Sequence, residues 1–422
     1  MAENSSEFKP YIPADKITPE FTITSILTGI ILAIVFGAAN AYLGLRVGMT
    51  ISASIPAAVI AMGITRIIFK KNSILESNMV QTIGSAGESV AAGAIFTMPA
   101  LFLWAKEGLI NQPSLLSISL ITLCGAILGV LFMIPLRNSI IVQEHGILPY
   151  PEAQACAEVL LAGEKKGSDA KAVFSGMAIA TLLISTILLK VSGDTGAHGM
   201  VSAITIGSII CVIAAIAGDT SQDLKTGYIL GATPKKQQIG ELVGAIISAL
   251  TIGGVLILLD SAWGFGSKEL AAPQATLMKL VTEGVMNGNL PWSYVFIGAA
   301  CTVLFELLGL PSLAVAIGIY LPIELTAPIM LGGVLRRLMD KKNKTQSSES
   351  SKGVLFCSGL IAGEGLMGVL LAILTVAGVA DKSGLGANIP AGVRLAGSVI
   401  LLVVLVTLIV CHNCSAKNEK AE

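Results

Sequence analysis

The stretch NMVQTIGSAGESVAAGAIFTMPALFLW, residues 78–104, is long and apolar enough for a helix to cross a lipid bilayer, yet it carries several polar side chains in its first half. A hydrocarbon core about 30 Å thick takes about 20 residues of helix. Gln81, Ser85 and Glu88 follow one another at three- and four-residue steps, which predicts one shared helix face. An ionisable group such as Glu88 is costly inside a membrane, so we interpret it as functional.

Small residues flank this polar face. Gly84, Gly87 and Ala91 form a neighbouring surface on which another helix can pack closely. A carboxyl group beside such a surface can lie at a cavity without touching lipid, and we expect Glu88 to carry a proton there. The structural alternative is a protonated glutamic acid that is hydrogen-bonded between helices.

The composition extends this pattern to the whole chain. Of 422 residues, 54% are hydrophobic and 13% are charged, against about 25% charged in soluble proteins. We expect an all-α, polytopic membrane helix bundle. The candidate crossings are 22–44, 48–69, 79–103, 114–136, 171–189, 198–217, 238–260, 291–308, 312–338, 353–378 and 391–412.

The composition and the motifs argue against several classes of function. The net charge is zero, so nucleic-acid binding has no support. The spans hold neither an HExxH motif nor a nucleophile–base pair, so we do not expect an enzyme. A lone CxxC, Cys411 to Cys414, is weak support for a metal or redox site, and we expect no metal and no cofactor.

The polar stretches suggest five regions. No cleavable signal is apparent ahead of the first span. The regions are a cytoplasmic N-terminal segment (1–21), a first membrane half (22–260), a connecting or interfacial segment (261–290), a second membrane half (291–412) and a cytoplasmic tail (413–422).

Positive charges favour one topology. If all eleven segments cross, Lys and Arg divide evenly between the two sides. If 312–338 enters and leaves on one side, they divide 20 to 7, as the positive-inside rule requires, and both termini are cytoplasmic. Pro322 and Pro328 interrupt that segment, so we expect a broken or re-entrant helix. Tyr320 and Glu324 lie there as candidate substrate contacts, with a helix-end cap as the alternative for Glu324.

The chain also resembles itself. Short motifs of the first part recur in the same order in the second part, ending in Ala86-Gly87-Glu88 and Ala362-Gly363-Glu364. Seven crossings separate the two starts, so the copies would be inverted, as in many secondary transporters. We therefore expect Glu364 to face Glu88 across a pseudo-twofold axis.

Two further sets of residues are candidates for a functional role. Gly29, Ala33, Gly37 and Ala41 form a stripe of small residues that predicts close packing of another helix. Asn40 lies at the end of this stripe and is either a contact between helices or a substrate contact. Asp219, Gln222, Asp223 and Lys225 follow an apolar span and predict a charged loop on the cytoplasmic side, a gate held by Asp–Lys pairs, against the alternative of a solvated turn.

Five long segments resemble the oligopeptide transporter (OPT) family, and within it the prokaryotic and yellow-stripe-like branch. They are FGAANAYLGLRVGMTISASIPAAVI (36–60), NMVQTIGSAGESVAAGAIFTMPALFLW (78–104), LPYPEAQACAEVLLAGE (148–164), IAGDTSQDLKTGYILGATPKKQQIGE (216–241) and LPSLAVAIGIYLPIELTAPIMLGG (310–333). The resemblance implies proton-coupled uptake of small peptides, or of metal–chelate complexes, across a plasma (bacterial inner) membrane.

The chain departs from the family pattern in length. Family members have about sixteen helices and are about half as long again. Both ends of the pattern are present, so we expect the shortfall to lie between 148–164 and 216–241.

The leading hypothesis is a proton-coupled peptide transporter. The alternatives are a metal–chelate transporter, a transport-impaired shortened homologue and a passive channel. The expected partners are the substrate, protons and lipid, with a second copy of the chain as a further candidate.

Overall fold

The computed structural model describes residues 8–13, 15–16, 18–48, 50, 52, 54–70, 73–145, 147–148, 150–161, 184–193, 196–320, 323–343, 352–378 and 390–415. Within these ranges the regular structure is entirely helical. The helices are α1 (Ile23–Val47), α2 (Ser54–Gly63), α3 (Ile74–Ile95), α4 (Pro99–Lys106), α5 (Leu115–Arg137), α6 (Pro151–Leu161), α7 (184–191), α8 (Gly196–Leu230), α9 (Pro234–Trp263), α10 (Pro273–Met286), α11 (Trp292–Leu307), α12 (Ser312–Tyr320), α13 (Ile323–Asn343), α14 (Lys352–Val376) and α15 (Ala391–Ser415).

Local signals in the sequence set several helix ends. Thr22 accepts a hydrogen bond from the backbone N–H of Ser25 and caps α1, and Ser73 caps α3 in the same way. Gly48 ends α1 in the left-handed conformation, with φ 78°. Two π-helical turns, Ile64–Ile68 and Asn138–Gln143, continue α2 and α5.

Five helical segments in the described part are long and apolar enough to cross a membrane. They are Ile23–Val47, Ile74–Lys106, Leu115–Gln143, Gly196–Leu230 and Pro234–Trp263. Large apolar side chains such as Leu116 and Phe132 on α5 are exposed, as expected of a surface that faces lipid. The protein is therefore a multi-pass membrane protein, and the prediction of an all-helical fold is confirmed.

Some expected crossings have a different form. The segment 48–69 is a ten-residue α-helix followed by a five-residue π-helical turn, shorter than an ordinary membrane span. The segment 312–338 is divided between α12 and α13, and α13 continues through Pro328. Most of the crossing expected at 171–189 lies outside the described residues.

Helix α3 occupies the centre of the bundle. Every residue from Leu75 to Ile95 is buried, including the polar ones. Helices α1, α2, α8 and α9 all pack against it. A membrane helix surrounded by other helices can hold polar side chains because they meet protein and not lipid.

Glycines allow these close contacts. A Cβ added to Gly87 would lie 2.0 Å from the backbone oxygen of Ala33, so α1 and α3 touch backbone to backbone. On the other side of α3, a Cβ on Gly244 would lie 2.3 Å from the backbone oxygen of Ile83. The small-residue stripe predicted for α1 is therefore confirmed as a packing surface.

A tight turn joins α8 to α9. Gly231, with φ 89°, follows α8, and a Cβ there would meet the backbone oxygen of Ile12 at 2.2 Å. Tyr11 and Ile12 donate backbone hydrogen bonds to Ile229 and Leu230, each at 3.0 Å. Part of the expected N-terminal segment, residues 1–21, is thus attached to the end of α8.

Glu20 completes this attachment. Its carboxylate accepts hydrogen bonds from the backbone N–H and the hydroxyl of Thr233, at 2.9 and 2.8 Å, and pairs with Lys236 at 3.3 Å. A negative charge at a helix N-terminus is favourable because the first N–H groups carry partial positive charge.

We expect Glu20→Ala to lower stability by about 1 kcal/mol, the usual loss for a helix cap. Thermal unfolding of the detergent-solubilised protein measures this. The control is Glu107→Ala, which removes an exposed carboxylate that pairs with Lys279. Equal unfolding temperatures for Glu20→Ala and the unchanged protein would contradict the prediction.

Candidate functional site

A buried carboxyl group on α8 is hydrogen-bonded to the polar face of α3. Gln81 Nε2 donates to one oxygen of Asp223 at 2.5 Å, and Ser85 Oγ donates to the other at 2.7 Å. The predicted shared face of Gln81 and Ser85 is confirmed, since both reach one carboxyl group. Hydrogen bonds to a carboxylate are among the stronger ones in proteins.

Two more carboxyl groups lie beside this one. Asp219 is one helical turn before Asp223 on α8, and Glu241 is in the second turn of α9. One oxygen of each of the three residues lies within 4.8 Å of the others, and all three residues are buried. Thr220 Oγ1 donates to Glu241 at 3.4 Å. We call Asp219, Asp223 and Glu241 the carboxylate cluster.

Lys225 does not join this cluster. Its ammonium group donates to the backbone oxygen of Ile141 at 2.8 Å and lies 2.8 Å from Nδ1 of His145. It also lies over the rings of Tyr150 and Tyr228. Burial, and then the nearby charge of Lys225, lower the pKa of His145. A neutral His145 can accept the hydrogen bond from Lys225.

The expectation of a charged loop is therefore wrong. Asp219, Gln222, Asp223 and Lys225 lie within α8, which continues to Leu230, and all four are buried. The Asp–Lys pair proposed for the gate is replaced by the contact between Lys225 and His145. The helix continues because neighbouring helices satisfy these side chains: the Gln222 side-chain oxygen accepts from the Ala153 N–H of α6 at 3.1 Å. A role in gating stays a prediction.

Glu88 and Asn40 meet at the contact between α1 and α3. Asn40 Nδ2 donates to the backbone oxygen of Glu88 at 3.3 Å. Both residues are buried, at 2% and 1% exposure. The interpretation of Asn40 as a contact between helices is confirmed, while its alternative role as a substrate contact stays a prediction.

Of the candidates in the second membrane half, Glu364 lies away from this site. Glu364 on α14 is exposed, and its carboxylate lies 3.9 Å from Arg46 at the end of α1. Unlike Glu88, it is therefore not buried, and the expectation that it faces Glu88 across a pseudo-twofold axis stays a prediction. Tyr320 ends α12 and Glu324 lies in the first turn of α13, and their side chains are outside the described part of the structure.

Sequence reasoning missed Glu241. It lies at the start of the crossing expected at 238–260, where a charged residue is easily taken for a solvated helix end. The available signal was its position between Gly240 and Gly244, which both contact α3. A carboxyl group next to a close-packing surface is directed into the bundle and not into lipid.

These observations define the class: a multi-pass helical membrane protein whose buried interior is polar and acidic. The sequence profile described as "OPT oligopeptide transporter protein" matches residues 20–179 and 171–375. This chain belongs to the OPT oligopeptide transporter family, which is a family of transporters and not of enzymes. The two matched segments overlap at 171–179, inside the interval between 164 and 216 in which we expect the shortfall in length.

Individual relatives cover parts of the chain. A protein of Haemophilus influenzae named "Putative oligopeptide transporter" is 34% identical over an alignment of 237 residues that covers 48% of this chain and 37% of that protein. A protein of Arabidopsis thaliana named "Probable metal-nicotianamine transporter" is 27% identical over 218 residues, 47% of this chain and 29% of its own length. The chain thus matches well under two thirds of each relative.

Proposed function

We propose that this chain is a secondary active transporter that takes up small oligopeptides together with protons. The observation that carries the proposal is the buried polar face of α3, on which Gln81 and Ser85 bind Asp223 and Glu88 follows one turn later. In a chain of this family, such a face inside the membrane suits the passage of a polar substrate and of protons.

Membership of the family and the name of the Haemophilus relative support peptides as the substrate class. The metal-nicotianamine relatives support a second candidate, the uptake of metal–chelate complexes. A chelate brings its own soft ligands, so the oxygen-rich interior of this chain is compatible with either substrate.

The proposal includes an arrangement of the helices. The two membrane halves form inverted repeats around a broken or re-entrant element at α12 and α13, and both termini are cytoplasmic in a bacterial inner membrane. The charge distribution of 20 to 7 and the repeated motifs support this arrangement. In it, Tyr320 and Glu324 contact the substrate, and the end of α8 contributes to gating.

Uptake into proteoliposomes tests the proposal. We expect a defined peptide pool to enter under an imposed inward proton gradient, as measured by mass spectrometry of the vesicle contents. Glu88→Gln removes the proton-binding carboxyl group, and we expect it to abolish gradient-driven entry. An iron chelate offered in the same experiment distinguishes the second substrate class.

A matched control is Glu76→Gln, which replaces another buried carboxyl group three turns earlier on α3. It should keep gradient-driven uptake. Uptake by Glu88→Gln at the rate of the unchanged protein would exclude Glu88 as the proton site. Failure of both peptide and chelate to enter, with well-folded protein, would favour the transport-impaired alternative.

A further inference from the structure

The carboxylate cluster concentrates negative charge in a buried place. Asp219, Asp223 and Glu241 are 8%, 2% and 1% exposed, and their closest oxygens lie within 4.8 Å of one another. Three ionised carboxylates at this separation repel strongly, and more so away from water. Such a group needs compensation, either by protons that the carboxyl groups bind or by a cation that they coordinate.

Among the described residues around the carboxylate cluster, hydrogen-bond acceptors outnumber hydrogen-bond donors. Glu241 Oε2 is buried without a hydrogen-bond donor among the described residues, and so is Oε1 of Gln81. Gln81 is fully buried, and its Nε2 binds Asp223, so its unpartnered oxygen belongs to a carboxamide that contacts the cluster. A buried acceptor without a donor is costly, which indicates a ligand that the acceptor can bind.

Two basic side chains in the described part of the chain, one close in sequence to the cluster and one that binds a residue close in sequence to Glu241, are directed elsewhere. Lys225, two residues after Asp223, binds Ile141 and His145. Arg137 of α5 donates to the side-chain oxygen of Gln238, three residues before Glu241. Neither cation is placed to neutralise the cluster.

We propose that Asp219, Asp223 and Glu241 bind one divalent hard cation, such as Mg²⁺, Ca²⁺ or Mn²⁺, between α8 and α9, with Gln81 Oε1 as a fourth ligand. Oxygen ligands favour these ions over soft metals. Metal–oxygen distances of about 2.0–2.6 Å place two ligands of one ion up to about 5 Å apart, which fits the observed spacing. A divalent ion leaves less uncompensated charge beside three carboxylates than a monovalent ion does.

The proposal revises the expectation that the chain has no metal site. That expectation rested on the lack of a metal-binding motif in the sequence, whereas only the packing of α9 on α8 and α3 brings Glu241 to Asp219 and Asp223. The bound ion would join α3, α8 and α9 close to the turn between α8 and α9. The proposal does not depend on the transport function.

Direct titration of the full-length protein in detergent, stripped of metal with a chelator, tests the site. We expect Mn²⁺ to bind the unchanged protein at one saturable site, measured by electron paramagnetic resonance, and to be displaced by Mg²⁺ or Ca²⁺. Asp219→Asn, Asp223→Asn and Glu241→Gln should each weaken Mn²⁺ binding at least tenfold.

The control is Asp260→Asn, on the same helix as Glu241 and about 28 Å further along its axis. It should bind Mn²⁺ like the unchanged protein. The absence of saturable binding to folded, unchanged protein would overturn the proposal whether or not the variants fold. Unaltered binding by folded cluster variants would also overturn it, because the ion would then bind elsewhere.

Discussion

Replacing Gly87 by alanine is expected to cost about 3 kcal/mol of stability, the upper end of the usual range for overpacking. The added Cβ would lie 2.0 Å from the backbone oxygen of Ala33 and 2.5 Å from its carbonyl carbon. Backbone atoms cannot turn aside as a flexible side chain does, so α1 and α3 would have to separate. A larger residue such as leucine should prevent the folded state from forming.

Two other glycines provide a graded comparison. A Cβ on Gly37 would lie 2.9 Å from the backbone oxygen of Gly87, and a Cβ on Gly254 of α9 would have no neighbour within 4 Å among the described residues. Gly37→Ala should therefore destabilise less than Gly87→Ala. Gly254→Ala should be neutral or stabilising, because alanine favours a helix over glycine by up to about 1 kcal/mol.

Thermal unfolding in detergent, followed by size-exclusion chromatography of heated samples, measures this order. The expected order of unfolding temperatures is Gly87→Ala lowest, then Gly37→Ala, with Gly254→Ala at or above the unchanged protein. If Gly87→Ala were as stable as Gly254→Ala, α1 and α3 could not be in backbone contact.

Removing the charge of Asp223 is expected to reduce uptake by about 100-fold, or roughly 2.7 kcal/mol. Asp223→Asn keeps the shape of the side chain, and rotation of the Gln81 amide restores a hydrogen bond to it. The fold should therefore be retained while the charge is lost. Asp260→Asn, on the far part of α9, is the matched control and should keep normal uptake.

Comparing Asp223→Ala with Asp223→Asn separates the effect of Asp223 on stability from its effect on uptake. It leaves the donors of Gln81 and Ser85 without their acceptor in a buried place, at a cost of about 1–3 kcal/mol for each unsatisfied group. We expect a lower unfolding temperature for Asp223→Ala than for Asp223→Asn. Full uptake by a folded Asp223→Asn protein would exclude a role for this charge in transport.

The class of protein was accessible from the sequence because membrane insertion depends on local composition. Long apolar runs predict helices that cross a bilayer, and five of the expected crossings coincide with long apolar helices in the structure. Helix periodicity also placed Gln81 and Ser85 on one face. These properties depend on residues close together in the chain.

The polar run after residue 218 was interpreted wrongly because the interpretation used only residues close together in the chain. Local composition alone suggests a solvated loop for Asp219, Gln222, Asp223 and Lys225. The chain instead stays helical and buried, because α3, α6 and the turn after α5 supply hydrogen-bond partners. Those partners come from parts of the chain about 70 to 140 residues away, and no local pattern reports them.

Glu364 and Glu241 also show that sequence motifs do not determine which carboxyl groups are buried together. A repeated motif gave Glu364 a place equivalent to that of Glu88, yet Glu364 is exposed beside Arg46 while Glu88 is buried. No motif drew attention to Glu241, which completes a buried acidic group.

The sequence by itself determined the membrane location, the helical fold, the family and the polar face of α3, because hydrophobic runs and helix periodicity act over short distances. Only the tertiary structure decided which carboxyl groups meet. Helix α3 is surrounded by four helices, and the glycines that let α1 and α9 approach it also fix what its polar side chains contact. Close packing sets those contacts, and it depends on the shapes of several helices at once.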